Sequence, residues 1–270
     1  MSGTLYLVPT PIGNLGDISQ RMADTLEQVD FIAAEDTRVS VKLLNHLEIK
    51  KPMVSYYRHN TESSGAAILE RLMAGESCAL VTDAGTPAIS DPGEELVALC
   101  AQAGVPVVSI PGPCALVTAL AASGQPTGRF TFEGFLAMNK KNRRRHLESL
   151  QGEERTMIFY EAPHKLCATL EDLAAAFGED RPLSLCRELT KLHEEVRRTT
   201  LGEAVAYYRE NPPKGGVRSG GPGRGASRGG LCHSGGWTGA GAGAAGAGSF
   251  PAGRGEAGRR PAGSFPQRAV

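Results

Sequence analysis

LVTDAGTPAISDPG, residues 80–93, carries an apolar run as far as Thr82 and then breaks its character at Asp83. Gly85, Pro87, Pro92 and Gly93 follow within ten positions. A short apolar run that ends in turn residues reads as a buried strand. Pro92 suits the first turn of a helix, and "EELVALCAQAG" supplies the helix, closed by Gly104. Asp91 reads as its N-cap. The stretch is therefore strand, tight loop and helix, the repeating unit of a parallel sheet. Its loop is short of large side chains and framed by two aspartates.

The same grammar recurs on both sides. "TLYLVP" (4–9), "FIAAED" (31–36), "CALVTD" (78–83) and "VPVVSIPG" (105–112) read as strands. Helical spacing follows or separates them in "DISQRMADTLEQVD", "RVSVKLLNHL", "SSGAAILERLMAG" and "PCALVTALAASG". Alternation with short links predicts an α/β fold with a mainly parallel sheet and helices on both faces, over about 1–123. "SGQPTG" (123–128) reads as a linker. Beyond it, "RFTFEGFL", "RTMIFYEA" and "RPLSLCREL" read as strands, and "HEEVRRTTL" alternates well enough to be another. "NRRRHLESL", "PHKLCATLEDLAAAFG" and "GEAVAYYREN" read as helices. This predicts a second, smaller α/β domain with a mixed sheet, about 129–214.

The character changes at about residue 215. Residues 215–270 hold 19 of the chain's 34 glycines, seven arginines, one glutamate and no lysine. Such composition cannot bury enough apolar surface to offset chain entropy. A natural disordered tail is one reading. A frameshift near Gly215 is preferred, because "GGVRSGGP" written as GGC-GGA-GTT-CGT-TCT-GGT-GGT-CCG becomes Gly-Glu-Phe-Val-Leu-Val-Val, a good buried strand, on loss of one G. The zero net charge of the 270 residues hides this asymmetry: residues 1–214 carry 22 basic and 28 acidic side chains. A whole-domain basic footprint for nucleic acid is thereby excluded, and any such contact must be local.

Six cysteines without a CxxC pair read as free thiols in a reducing compartment. The N-terminus shows no secretory leader, and no apolar run approaches the ~20 residues of a membrane span. The chain reads as soluble and cytoplasmic. The six histidines form no HExxH or close ligand cluster, so no metal is expected.

Three strand ends hold Gly/Pro-rich turns: "PTPIGNLGD" (9–17), "TDAGTPAISDPG" (82–93) and "IPGPCA" (110–115). Ligands of open parallel sheets bind at the carboxyl ends of strands. The second and third loops run into helix N-termini, whose N–H groups near Gly93 and Cys114 suit an anion such as a carboxylate. No GxGxxG follows the first strand, no GxxxxGK[ST] occurs, and residues 1–214 hold no GxSxG, which argues against an ordinary dinucleotide site, an ATP site or a serine nucleophile. "KKNRRRH" (140–146) is the dense basic run of the foldable part, readable as a solvated helix face or as a phosphate clamp.

"LYLVPTPIGNLGDIS", "AEDTR", "LVTDAGTPAISDPG", "SIPGPCA", "FEGFL", "MIFYEAPHK" and "LCRELTKLHEE", in this order over about 4–215, resemble the successive motifs of the ribosomal RNA small subunit methyltransferase I family, within the tetrapyrrole methylase-like superfamily. The resemblance implies S-adenosylmethionine-dependent 2′-O-methylation of a cytidine ribose in 16S rRNA of the 30S subunit. It also implies two α/β domains with the cofactor in the cleft between them, and a homodimer. Carried over by position, the cofactor loops are Pro11, Ile12 and Gly13; Asp83, Ala84, Gly85 and Thr86; and Pro113, Cys114 and Ala115. Tyr160 and Leu189 join them from the second domain. Ala162 and Lys165 stand where Ser and Arg are expected, and a closing strand like "GEFVLV" appears only in the shifted frame.

Lys140, Lys141, Arg143, Arg144 and Arg145 are the expected holders of RNA phosphates. Glu35, Asp36 and Glu161 are the carboxylates available as a general base for the ribose hydroxyl. Two other readings are a tetrapyrrole C-methyltransferase and an inactive, cofactor-binding product of a damaged frame.

Overall fold

The computed structural model describes residues 2–212 with their side chains and residues 229–233 as backbone. Its first sheet comprises β1 (Leu5–Leu7), β2 (Phe31–Ala34), β3 (Met53–Ser55), β4 (Cys78–Val81) and β5 (Val107–Ser109). They lie in the order β3-β2-β4-β1-β5, and every pairing is parallel. α1 (Gln20–Gln28), α2 (Thr37–His46), α3 (Thr61–Met73) and α4 (Glu94–Gln102) connect them.

The period-two alternation of strand side chains decides which helix covers which face. Phe31 and Ala33 of β2, with Cys78 and Leu80 of β4, pack with Ile68 and Leu72 of α3 and Leu96 and Cys100 of α4. Their neighbours Ile32, Ala34, Ala79 and Val81 pack on the other side with Met22 and Leu26 of α1 and Leu44 of α2. Both faces are thus buried, as the continuous apolar reading of β2 and β4 requires. Burial also pushes the Cys78 thiol up to about 12, so it stays protonated.

The second sheet contains β6 (Phe130–Phe135), β7 (Thr156–Glu161), β8 (Pro182–Arg187), β9 (Glu195–Thr200) and β10 (Gly229–His233), in the order β6-β7-β10-β8-β9. β6 and β7 are parallel; the other pairings are antiparallel. α6 (Lys140–Ser149), α7 (Leu166–Phe177) and α8 (Leu201–Glu210) cover one face. Leu147, Leu170, Leu173, Leu201 and Tyr208 meet Met157, Phe159, Leu183 and Leu185 there. β10 lies inside the segment that composition marks as a tail, in the central position between β7 and β8. The remainder of 215–270, and with it the reading of a disordered or frameshifted tail, lies outside the described residues.

The other face of the second sheet is covered by α5 (Ala115–Ser123), the helix that follows β5 of the first sheet. Ala115, Leu116, Ala119 and Leu120 pack against Ile158, Tyr160, Cys186 and Leu189. The C-terminal end of α5 is pinned as well. The Ser123 carbonyl accepts from Ser184 Oγ (2.9 Å) and Arg198 Nε (2.9 Å), and the Ala122 carbonyl accepts from Arg198 Nη2 (2.6 Å). Sequence places α5 with the first domain; packing lays it on the second sheet.

If α5 covers the second sheet, truncating a side chain on its inner face must cost what a core truncation costs. Leu120, 5% exposed, changed to Ala is expected to lower unfolding free energy by about 2–5 kcal/mol in urea titrations. A change below about 0.5 kcal/mol, the range of surface substitutions, would place the helix elsewhere.

Candidate active site

The three Gly/Pro loops meet because backbone and hydroxyl groups tie them together. Thr10 and Gly85 exchange reciprocal N–H···O bonds of 2.9 Å, joining the loop after β1 to the loop after β4. Thr10 Oγ1 donates to the Thr82 carbonyl (2.9 Å), and Thr86 Oγ1 donates to the Pro113 carbonyl (2.9 Å), which brings in the loop after β5. Gly85 sits at the junction with φ +95°, where a Cβ would lie 3.5 Å from Ile12 Cγ2 and 3.9 Å from the Pro113 carbonyl. An L side chain rarely adopts that φ, so glycine is required by conformation more than by space.

A cleft of about 390 Å³ opens beside this knot, within the usual size of small-molecule sites. Pro11, Ile12, Gly13, Asp83, Ala84, Gly85, Thr86, Cys114 and Ala115 line it from the first-sheet side. Tyr160 of β7 and Leu189, just after β8, line it from the second. Of the positions expected at the cofactor, only Pro113 is off the wall; its carbonyl holds Thr86 instead. Val39, Ile89, Glu188 and Lys191 also line the cleft and were not singled out by the sequence. Their signal was there in part: Glu188 and Lys191 fall inside the "LCRELTKLHEE" motif and pair with each other at 3.3 Å.

The chemistry of the wall suits an amphipathic ligand. Ile12, Ala84, Ala115 and Leu189 offer apolar surface, while Asp83, Glu188 and Lys191 offer charge of both signs. The first turn of α5 has no side-chain cap on its N–H groups, and Cys114 and Ala115 bring that turn to the cleft. The other helix start, at α4, differs from expectation: Gly93, not Asp91, is the N-cap. It opens on a neighbouring cavity with Asp91, Pro92, Glu94 and Glu95, not on this cleft.

The three carboxylates have different fates. Asp36 caps α2 through Arg38 N (2.9 Å) and pairs with the Arg38 guanidinium (2.7 Å), which holds its carboxyl down at about 2. Glu161 is 5% exposed; one oxygen accepts from Ala162 N (2.7 Å) and the other from Thr169 Oγ1. Glu35 accepts from Thr82 Oγ1 (2.6 Å) and Asp83 N (3.3 Å), beside the cleft-lining Asp83.

The basic helix also divides. Lys140, Lys141, Arg144 and Arg145 are exposed. Arg143 is turned inward: its Nε lies 2.5 Å from Asp172 of α7, and its Nη2 donates to Thr169 Oγ1 (2.8 Å). Arg143 thus departs from its expected place among the phosphate holders because its guanidinium braces α6 against α7. Helical spacing carried the signal, since Arg143, Leu147 and Leu150 fall on one face at i, i+4 and i+7.

The family model of the Tetrapyrrole (Corrin/Porphyrin) Methylases matches residues 4–205. The "Ribosomal RNA small subunit methyltransferase I" of Synechocystis sp. is 55% identical over 213 residues, covering 79% of this chain and 76% of that protein. The protein of the same name from Bacillus subtilis is 50% identical over 213 residues, covering 79% and 73%. Among solved structures, diphthine synthase superposes with a TM-score of 0.63 at 14% identity, over 86% of this chain and 90% of that one. Uroporphyrin-III C-methyltransferase from Thermus thermophilus, complexed with S-adenosylhomocysteine, gives 0.56 at 17%, over 85% and 97%. These structural likenesses show the fold. The chain belongs to the tetrapyrrole methylase family, a family of methyltransferases, and within it to the ribosomal RNA small subunit methyltransferase I proteins.

The two arginines of α6 give opposite expectations. Arg143→Ala is expected to cost about 1.5–3 kcal/mol in urea titrations, since it removes a charged hydrogen bond and an ion pair from a half-buried brace. Arg144→Ala, which removes only the exposed pair to Glu148, is expected to cost under about 0.5 kcal/mol. Equal costs would contradict the inward assignment of Arg143.

Proposed function

We propose that the cleft binds S-adenosylmethionine and that the enzyme methylates the 2′-hydroxyl of a cytidine ribose in 16S rRNA of the 30S subunit, in the cytoplasm. The observation that carries this reading is the convergence of three strand-end loops and Leu189 on one cleft, in a chain 55% identical to a ribosomal RNA methyltransferase. A fold relative complexed with S-adenosylhomocysteine supports the cofactor. The exposed lysines and arginines of α6 favour RNA over a tetrapyrrole as substrate.

The cofactor supplies a sulfonium methyl that is already an electrophile. The wall residues have three tasks. Ile12, Ala84, Ala115 and Leu189 would exclude water and offer the cofactor apolar surface. The uncapped turn of α5 would suit the cofactor's carboxylate. Asp83 accepts from the cofactor's amine or ribose hydroxyls. These contacts fix the donor so that the ribose oxygen can come in line within about 3–3.5 Å. A base that takes the hydroxyl proton adds roughly 10²–10⁴ in rate. Glu35 is the best placed of the three carboxylates. Asp36, held down at about 2 by Arg38, is a weak base, and both Glu161 oxygens accept hydrogen bonds inside the protein.

Lys140, Lys141, Arg144 and Arg145 hold phosphates, which ties binding to ionic strength. Removing one such contact, as in Lys141→Ala, is expected to reduce the slope of log K against log salt by about 1. The family resemblance also implies a homodimer, which sedimentation would report.

The test is methyl transfer from labelled S-adenosylmethionine to 30S subunits from cells lacking the modification, with the product nucleotide identified by mass spectrometry. Incorporation at one cytidine 2′-oxygen is expected. Gly85→Val, which forces a β-branched residue to positive φ, is expected to weaken S-adenosylhomocysteine binding at least tenfold by calorimetry. Transfer to a porphyrin or corrin carbon instead of 30S subunits would overturn the reading.

A further inference from the structure

A second cavity, of about 740 Å³, lies on the far side of the Asp83–Ser90 loop from the cleft. Its wall includes Glu35, Arg58, Ser90, Asp91, Glu95 and, from the second sheet, Phe135. Two partitions separate it from the cleft. One is the bond set in which Glu35 accepts from Thr82 Oγ1 and Asp83 N. The other is aromatic: Phe135 stands edge-on to Tyr160, with ring centroids 5.6 Å apart, and Tyr160 faces the cleft.

Phe135 reaches this position through a defect in β6. Pairing with β7 runs Phe132 to Ile158 and then Gly134 to Phe159, so Glu133 is an extra residue. In an unbroken strand, residues 132 and 135 would point to opposite faces. The bulge, with Gly134 at φ +62°, brings both rings against Tyr160. Bulges of this kind re-aim side chains beside functional sites. Phe135 remains 46% exposed, a large ring face turned to an open cavity.

We propose that this cavity receives the base of the target nucleotide, with Phe135 as its stacking platform. The inference rests on the RNA reading above. Charge selects what can enter. Among the described residues of the wall, the four carboxylates of Glu35, Asp91, Glu94 and Glu95 stand against the guanidinium of Arg58, so they repel a phosphate and admit a neutral base. Cytosine matches this wall: its N4 amino group donates to carboxylates, and its O2 and N3 accept from a guanidinium. A ribose carrying a base in this cavity stands at the partition, beside the methyl donor site. The phosphate-holding helix α6 begins at Lys140, at most about 18 Å along the chain from Phe135. Base and backbone are thus gripped by neighbouring elements of opposite charge.

The test compares Phe135→Ala, Phe135→Leu and Phe135→Trp in full-length enzyme. Methylation of 30S subunits is followed by steady-state kinetics, and S-adenosylmethionine affinity by calorimetry. Ala and Leu are both expected to lower kcat/KM for 30S roughly 5- to 150-fold, the worth of one stacked base, with the fall expressed in KM. Leu keeps the apolar contact with Tyr160, so it controls for a folding defect in Ala. Trp is expected to stay within about threefold of the wild type. Cofactor affinity is expected to stay within twofold in all three. An unchanged KM in Ala and Leu, a parallel loss of cofactor affinity, or failure of Trp to rescue would each overturn the proposal. Failure of the wild type itself to methylate 30S subunits would count against the RNA reading instead.

Discussion

The reciprocal hydrogen bonds between Thr10 and Gly85 are the constraint on which the site depends. Parallel strands carry their loops out at one rim, but nothing in a parallel ladder obliges those loops to touch. Here a two-residue bridge joins the first to the second, and Thr86 joins the second to the third through the Pro113 carbonyl. The loops are built from residues with little bulk, so the knot is tight and its outer side is free to be a wall. Glycine at position 85 follows from its positive φ.

The knot supplies half of the cleft, and α5 supplies the means of adding the other half. Its first turn faces the knot through Cys114 and Ala115. Its inner face lies on the second sheet, and its last carbonyls are held by Ser184 and Arg198. One rigid helix therefore fixes the distance from the loops to Tyr160 and Leu189. A hinge at this place would let the cleft open and blur. Fully buried Ser184 and Ala119 on the two sides of the seam argue for a packed joint.

Much of this was legible in the sequence, because each feature has a local cause. The strands of the first sheet announce themselves as apolar runs ending at Gly or Pro, and the alternation of helix and strand gives the parallel sheet. Eleven of the twelve expected cofactor positions line one cleft. What was not legible depends on distant contacts. α5 is apolar on nearly every side, so its sequence cannot say which sheet it covers. Arg143 hides in a basic run, and only its register with Leu147 and Leu150 separates it from its exposed neighbours. The bulge at Gly134 is a register shift against β7, and "FTFEGF" alone reads as a plain strand. β10 has the composition of a tail, yet its backbone pairs with β7 and β8 on both sides.

The central claim is that one rim of small-residue loops, closed by α5 and the second sheet, holds the methyl donor. A crystal structure with S-adenosylhomocysteine tests it most directly. The account predicts ligand density in contact with Gly85, the first turn of α5 and Leu189 together. Density elsewhere, or none with this cleft intact and open, would contradict it.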